Sequence, residues 1–428
     1  LVASFLNYSI FKYCDNLIQI GKTKVRKYIL SRKGIKMKIR NKVLICLFLV
    51  VTLMSQICVV NVMAAENTAL DVEAKAGLLM EPTTGKIIFE KNVHEKFAPA
   101  SVTKIMTMLL TMEAVDSGKI KLTDTVVVSE NAKKMGGNGS SSMLLDTGEV
   151  RTVEDLLKGV AIASGNDAAT ALAEYIGGSE SSFVEMMNKR AQELGMKDTT
   201  FKNCHGLSKE GHLTSAYDIS IMSRELLKHK KILKYSGTYM ETISEGRKQP
   251  IELVNHNKLV RFYKGCDGLK TGFTNEAKYC ISATAVRNNI RMLAIIVGAP
   301  TYKIRNRDAS MLMNYGFSKF ESKKVVAKDS DVEKITLDKK GEKFFFAKAK
   351  DDLNLVLERG TKNKITKKCV LDKSKKEYKR GEIIGNCEVY VNDKLLGKVP
   401  VYSDRDIKTY GILDSIKYNI MNLFDNAI

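Results

Sequence analysis

The sequence predicts an α+β protein whose larger first part has strands at both ends of a helical middle, followed by a smaller all-β region. Three observations predict this. Ala76 to Glu81 and Lys86 to Glu90 are short strand-like runs around the turn Pro82-Thr83-Thr84-Gly85, which reads as a hairpin. Longer apolar runs of helical length follow, notably residues 101–116 and 153–160. Lys278 to Val286 and Ile290 to Val297 then return to strand-like composition, and beyond about residue 320 short alternating runs take over.

Composition sets the outer bounds. The 428 residues are 44% hydrophobic, with Gly 29 and Pro only 5, which suits two or three globular domains. The formal net charge is +21. Residues 1–65 hold 11 Lys/Arg against the single Asp15, so +10 of that excess lies there and +11 in the remainder. Such a balance suits an anionic neighbour such as a membrane surface or an acidic wall polymer. No basic stripe with interleaved aromatics occurs, which excludes nucleic acid as a partner.

Residues 37–65 have the build of a secretory signal peptide. Met37-Lys38-Ile39-Arg40-Asn41-Lys42 is basic, Val43 to Val60 is almost wholly apolar, and small residues precede a cut near Ala64 or Ala65. The apolar run is also about long enough for an uncleaved anchor, which stays open. Residues 1–36 precede the first methionine and read as a non-native leader; Gly21-Lys22-Thr23 lacks the upstream glycines of a phosphate loop. Beyond residue 65 five cysteines remain, Cys204, Cys266, Cys280, Cys369 and Cys387. An odd number in so long a chain argues against a disulfide framework. Cys204, His205, His212 and Cys266 do not have the spacing of a closed zinc site.

Chemistry begins at Pro99-Ala100-Ser101-Val102-Thr103-Lys104. On a helix, Ser101 and Lys104 share a face one turn apart. In a partly dry pocket a lysine can lose its proton and then accept that of the serine, turning a hydroxyl into a nucleophile. Free backbone N–H groups at a helix start can steady an oxyanion. Alone, such a pair equally describes a solvated helix start in a lysine-rich chain.

Two later stretches change that reading. A Gly/Ser-rich segment, residues 131–146, reads as a surface loop near the pocket. Ala163-Ser164-Gly165-Asn166-Asp167 then sits between two apolar segments. Ser164 can relay a proton, and the Asn166 amide can hold Lys104 or a substrate amide; a capped helix–helix turn is the plainer alternative. Asp267-Gly268-Leu269-Lys270-Thr271-Gly272-Phe273-Thr274 precedes the closing strands. Lys270 offers a cation to a substrate carboxylate, Thr271 a hydroxyl, and Gly272 room for a peptide against the backbone.

The ordered set Ser-x-x-Lys, Ser-x-Asn, Lys-Thr-Gly is hard to obtain by chance. With it, the chain resembles the serine-type D-alanyl-D-alanine carboxypeptidases, the low-molecular-mass penicillin-binding proteins, from about Ala76 to Val401. Smaller matches carry the resemblance too: Glu81-Pro82-Thr83-Thr84-Gly85, His205-Gly206-Leu207 and Thr214-Ser215-Ala216-Tyr217-Asp218 among them.

The resemblance implies a penicillin-recognising serine-enzyme fold, a helical cluster on a five-stranded antiparallel sheet with the site between them. It implies Ser101 as acylated nucleophile, Lys104 as general base, and Ser164 and Asn166 completing the proton network. Lys270, Thr271 and Gly272 would bind substrate, and the backbone N–H groups of Ser101 and Phe273 would form the oxyanion hole. The reaction implied is removal of the terminal D-alanine from a peptidoglycan pentapeptide stem, with β-lactams as inhibitors and neither metal nor cofactor. Some relatives carry a carboxylate-binding arginine after the strand that follows Lys-Thr-Gly; here Pro300 stands there, with Arg305 and Arg307 just beyond. A serine β-lactamase and a catalytically silent wall-binding protein are the alternatives. The first lacks a Glu-x-x-x-Asn loop after Asn166, and the second would not be labelled by penicillin. His94, His229 and His256 read as surface or structural, and a triad of Ser101 with His205 or His212 lacks an acid.

The domain reading is therefore leader 1–36, signal 37–65, catalytic domain 70–320, a small β-sandwich-like domain 321–402, and an amphipathic helix 407–428. Glu321 to Pro400 holds 21 Lys/Arg and 14 Asp/Glu without a catalytic cluster, which suits a spacer or partner-binding role. In the last segment Leu413, Ile416, Ile420, Leu423 and Phe424 fall on one side at helical spacing, too polar overall to span a bilayer but suited to its surface. The expectation is an extracytoplasmic protein held peripherally at the outer face of the cytoplasmic membrane by that helix, or at the wall.

Overall fold

The computed structural model describes residues 70–137, 139–243, 249–336, 344–371 and 377–408. The leader 1–36, the signal segment 37–65 and most of 407–428 lie outside them.

The expected hairpin forms from β1 (Ala76–Glu81) and β2 (Lys86–Lys91). Its turn is organised by the buried Glu81, whose carboxylate accepts the N–H groups of Thr83 and Thr84 at 2.9 and 2.8 Å and the Thr84 hydroxyl at 2.6 Å. A short 3-10 turn, Ala100–Thr103, leads into α1 (Lys104–Asp116). The first part of residues 101–116 is thus not α-helical, and Ser101 stands one turn before α1 proper.

β3 (Thr125–Val127) and β4 (Val150–Thr152) form a small hairpin around α2 (Glu130–Met135). The segment 131–146 is therefore partly helical rather than all loop. Ser129 caps α2 by accepting the Ala132 N–H at 2.9 Å, with Glu130 in the first turn and Lys133 and Lys134 in the last, as the helix dipole favours. α3 (Val153–Lys158) ends two residues earlier than expected and passes into a wider π-type turn, Gly159–Ala163. α4 (Asn166–Gly177), α5 (Glu180–Glu193), α6 (Ala216–Leu226) and α7 (Ile232–Ser236) complete most of the helical cluster. A hairpin of β5 (Met240–Ile243) and β6 (Ile251–Val254) and a single turn, α8 (Leu259–Phe262), precede the main strands.

Those strands are β7 (Cys266–Thr274), β8 (Lys278–Arg287) and β9 (Ile290–Ala299). With the hairpin they make one antiparallel five-stranded sheet in the order β2-β1-β9-β8-β7. β1 and nearly all of β9 are buried at successive residues, which requires cover on both faces. α6 packs against β1 and β9, as does the long helix α9 (Tyr302–Lys319). The fold is the expected helical cluster on a five-stranded antiparallel sheet. β7, bearing Lys270, Thr271 and Gly272, is an edge strand packed against the Ser101 turn.

A small β domain follows α9 directly. β10 (Phe320–Val326) pairs with β13 (Leu353–Glu358). β11 (Asp331–Thr336), β12 (Phe344–Ala349), β14 (Ile365–Leu371), β16 (Ile383–Val391) and β17 (Lys394–Ser403) form a second antiparallel sheet in the order β11-β12-β17-β16-β14. Phe345, Leu355, Leu357, Val389, Val399 and Val401 fill the core of this domain.

The expected attachment to the outer face of the cytoplasmic membrane through a helix at 407–428 is corrected. Ile407–Lys408 is not the start of a helix but a strand, β18, paired with β15 (Glu377–Tyr378). Among the described residues no helix is long and apolar enough to cross a membrane.

Candidate active site

Ser101 and Lys104 meet because of the 3-10 turn. With three residues per turn, positions i and i+3 eclipse, and the Lys104 Nζ lies 3.0 Å from the Ser101 Oγ. The turn is strained: Ala100 has φ +48°, a conformation that costs an L-residue about 1–2 kcal/mol. Two glycines press on it from other segments. A Cβ on Gly206, itself at φ +90°, would lie 1.9 Å from the Ala100 carbonyl oxygen and 2.9 Å from the Ser101 nitrogen. A Cβ on Gly272 of β7 would lie 3.1 Å from the backbone nitrogens of Ser101 and Val102. Gly206 has no room for a side chain, and at Gly272 a Cβ would require the Ser101 turn to give by a few tenths of an ångström.

Lys104 is fully buried. Its Nζ donates to the Asn166 Oδ1 and to the His205 carbonyl oxygen, both at 2.6 Å. Burial pushes its pKa down to about 7, with Cys204 and Asp167 pulling the other way. As a neutral amine it would spend two N–H bonds on those two carbonyl oxygens. The lone pair then points at the third neighbour, the Ser101 hydroxyl. That is the arrangement a general base needs.

Ser164 is also backbone-strained, at φ +62°. Its hydroxyl is buried and has no hydrogen-bond partner among the described residues, a costly state for a buried polar atom. No hydrogen bond joins it to Lys104; of the two residues expected to complete the proton network, Asn166 is the one bonded to that lysine.

Asp167, which sequence reasoning passed over, ties the neighbouring loop to this motif. Its fully buried carboxylate accepts the Met143, Leu145 and Ala168 N–H groups at 2.9, 3.1 and 2.9 Å and the Ser142 hydroxyl at 2.6 Å. The Asn166 N–H donates to the Ser141 carbonyl at 2.8 Å. The loop residues 141–145 are thereby fixed to the residue that orients Lys104.

Lys270 and Thr271 are buried in β7, and the Lys270 Nζ donates to the Thr271 carbonyl oxygen at 3.1 Å. Burial, then the charges of Lys104 and Arg305, push the Lys270 pKa well down. Arg305 is the second residue that sequence reasoning left undecided. It sits on the first turn of α9, is buried, lies 6.0 Å from the Tyr279 ring centroid, and donates through Nε and Nη2 to the Asn306 Oδ1 at 3.0 and 2.9 Å. Burial lowers its pKa to about 10. Among the described residues neither Lys270 nor Arg305 has a carboxylate partner. Arg307, by contrast, is exposed and engaged by Glu73 and Asp308. Burial without a carboxylate partner is a costly state for either Lys270 or Arg305.

The histidines make no triad. His205 faces Glu180 at 3.4 Å, and His212 contacts the Thr103 hydroxyl at 2.8 Å while accepting the Lys202 N–H. Burial holds their pKa values at about 3 and about 4, so both are neutral. His94 pairs with Asp198 and His229 with Asp116. Burial, then the charges of Lys270, Lys258, Lys104 and Arg305, lowers the His256 pKa to about 4. Cys204 and Cys266 are unpaired, and no metal-suited cluster of His, Cys, Asp and Glu occurs among the described residues. Phe273 is half-exposed at the end of β7, its ring centroid 4.4 Å from that of Tyr279.

Comparison with known proteins places this geometry among relatives. Residues 61–301 match the family model "D-alanyl-D-alanine carboxypeptidase", and residues 320–409 match "Penicillin-binding protein 5, C-terminal domain". The chain is 43% identical to the D-alanyl-D-alanine carboxypeptidase DacF of Bacillus subtilis over 347 residues, covering 81% of this chain and 88% of that one. It is 32% identical to DacC of Escherichia coli, covering 84% and 91%. Among solved structures, penicillin binding protein 6B from Escherichia coli matches with a TM-score of 0.59 at 31% identity, over 78% of this chain and 96% of that one. A peptidoglycan synthesis regulatory factor (PBP3) from Streptococcus pneumoniae matches with a TM-score of 0.67 at 27% identity, over 79% and 100%.

Proposed function

The chain belongs to the D-alanyl-D-alanine carboxypeptidase family, and from that premise we propose that Ser101 is its nucleophile, with Lys104 as the base. It is a serine-type carboxypeptidase that removes the terminal D-alanine from peptidoglycan stems, and it works outside the cytoplasm, associated with the cell wall.

Ser101 Oγ attacks the carbonyl carbon of the penultimate D-alanine while its proton passes to the neutral Lys104 amine. The developing oxyanion is held by the backbone N–H groups of Ser101 and Phe273. The C–N bond then breaks, the leaving amine takes a proton, and free D-alanine departs. Ser164, a buried hydroxyl with no partner of its own, is available to relay that proton. Water hydrolyses the acyl-serine with Lys104 again as base. Lys270, Thr271 and Arg305 bind the substrate's terminal carboxylate, and the free edge of β7, with Gly272 at its closest approach to Ser101, receives the peptide as an added strand. A β-lactam enters the same chemistry, but its leaving group stays tethered, so Ser101 remains acylated.

The observation that carries this reading is the Lys104 amine, with its pKa lowered to about 7, 3.0 Å from the Ser101 hydroxyl. A pentapeptide stem incubated with the protein should yield the tetrapeptide and free D-alanine in equal amounts, and Ser101→Ala should yield neither. Rapid turnover of labelled penicillin, above about 1 s⁻¹, would instead indicate a β-lactamase; no observation here favours that reading.

Three further readings accompany this one. Residues 37–65 act as an export signal, on their basic, apolar and small-residue pattern; the N-terminus of the exported protein tests it. The catalytic and β domains divide near 320–321, where α9 gives way to β10; limited proteolysis tests it. An amphipathic helix within 407–428, whose residues from 409 on lie outside the described ones, is supported by the spacing of Leu413, Ile416, Ile420, Leu423 and Phe424; circular dichroism of that peptide tests it.

A further inference from the structure

The β domain contains a cysteine pair that the catalytic account does not use. β14 ends its sheet and pairs with β16 in unbroken antiparallel register from Ile365 opposite Val391 to Leu371 opposite Gly385, which places Cys369 directly opposite Cys387. Directly opposed residues in such a ladder project from the same face. Here that face is the inner one: Cys387 is fully buried in the core that Ile384 and Val389 share, and Cys369 packs partly buried against the same core.

The hydrogen-bonding pattern fixes which kind of pair this is. The Cys369 N–H donates to the Glu333 Oε2 at 3.2 Å, away from β16. A residue whose N–H turns from its partner strand occupies a non-hydrogen-bonded position, where opposed Cα atoms stand about 4.5 Å apart and side chains approach most closely. Disulfides span Cα separations of about 4.4–6.8 Å. The strands therefore already hold the two cysteines at a separation that a bridge requires. The other described cysteines are dispersed through the catalytic domain: Cys204 beside Glu180, Cys266 beside Asn257, and Cys280 on the Ala277 carbonyl.

We propose that Cys369 and Cys387 are a redox-active pair that closes into a cross-strand disulfide when the protein meets a thiol oxidant. The proposal gains its setting from the extracytoplasmic location given above, because disulfides persist outside the cytoplasm. The oxidant is a low-molecular-mass or protein disulfide. One cysteine thiolate attacks a sulfur of that disulfide, giving a mixed disulfide and releasing one thiol. The second cysteine, as thiolate, then attacks the sulfur of the first, forming the Sγ–Sγ bond and releasing the second thiol. Two electrons and two protons pass from the cysteine pair to the oxidant. The bridge ties the outermost strand of the sheet covalently to its ladder neighbour, an edge otherwise held by hydrogen bonds and by the packing of Ile365, Cys369 and Leu371 on the core.

The environment sets the rate. Burial, the Glu333 carboxylate and Cys387 push the Cys369 thiol up to about 12; burial also raises that of Cys387, where Lys367 opposes and Glu333 and Glu388 reinforce the shift. Closure is therefore slow at neutral pH and faster in alkali, as the thiolate fraction grows.

The test uses the purified full chain incubated with oxidised glutathione at about pH 8.5, so its outcome does not depend on where the chain resides or on Ser101 chemistry. The expected product is one linked peptide pair containing residues 369 and 387, reversed by reductant, absent in Cys387→Ser, and accompanied by a rise in the β domain's unfolding midpoint of about 5 °C or more. A stable glutathione adduct on Cys369 without closure overturns the proposal. So do two thiols that remain alkylatable after unfolding of the treated protein. Penicillin labelling of Ser101 in the same sample reports independently on the catalytic reading.

Discussion

The Asn166 Oδ1 lies 2.6 Å from the Lys104 Nζ, although the two residues come from different helices, 62 positions apart. Together with the His205 carbonyl, it occupies the donors of the amine and leaves the third direction to Ser101. The proton transfer proposed above therefore rests on a lysine whose pKa burial lowers to about 7.

That gives a pH dependence with a definite sign. Lys104 is protonated and inactive as a base below its pKa of about 7 and neutral above it. Acylation of Ser101 should rise about tenfold from pH 6 to pH 8 and then level off. Stopped-flow labelling with a fluorescent penicillin measures this, and a flat profile over that range would remove Lys104 from the base's role.

Gly206 is the second pressure point. A side chain there cannot coexist with the Ala100 carbonyl, 1.9 Å from the new Cβ, and the backbone at φ +90° adds strain. Gly206→Ala should cost about 2 kcal/mol or more in stability and slow penicillin acylation at least tenfold by moving Ser101. Thermal unfolding and labelling kinetics on one preparation check both, and an unchanged acylation rate would show that the turn does not need this contact.

Asp167→Asn tests the loop tie. The amide would turn a donor toward some of the N–H groups of Met143, Leu145 and Ala168 that the carboxylate now accepts. We expect a loss of about 1–3 kcal/mol and faster hydrogen exchange across residues 141–145, with acylation slowed because Asn166 is held less firmly.

Arg305 is expected to select substrates by their free terminal carboxylate. Arg305→Ala should lower kcat/KM for an acyl-D-Ala-D-Ala acid by about 10–100-fold, corresponding to the loss of about 1.5–3 kcal/mol of charge-assisted hydrogen bonding. The corresponding C-terminal amide should be affected far less, and Arg305→Lys should recover part of the difference. Equal losses on acid and amide would mean that Arg305 supports structure only.

The parts of this site visible in the sequence are those set by local spacing. Ser101 and Lys104 are three apart, a spacing that shares a face on a helical turn, though the 3-10 form of that turn was not legible; the hairpin at 76–91 is announced by its Pro-Thr-Thr-Gly turn; Lys270 to Gly272 precede strands with clear apolar runs. Features set by distant chain segments were not legible. Asp167 acts through backbone N–H groups more than twenty positions away, which leave no mark on side-chain pattern. Arg305 could not be separated from Arg307 until α9 was seen to begin at Tyr302, turning one inward and the other to Glu73. Ser164 could be read in sequence as a relay, but its left-handed backbone and its buried, unpartnered hydroxyl could not. At 407–408, pairing with Glu377 and Tyr378, distant in sequence, makes a strand of two residues that sequence spacing put in a helix.

The most direct measurement of the central claim is intact-protein mass spectrometry after brief exposure to benzylpenicillin, followed by peptide mapping. The account predicts one added penicilloyl group, on Ser101, abolished in Ser101→Ala and strongly slowed in Lys104→Ala. An adduct on another residue, or an unmodified wild-type protein that is folded by circular dichroism, would contradict it.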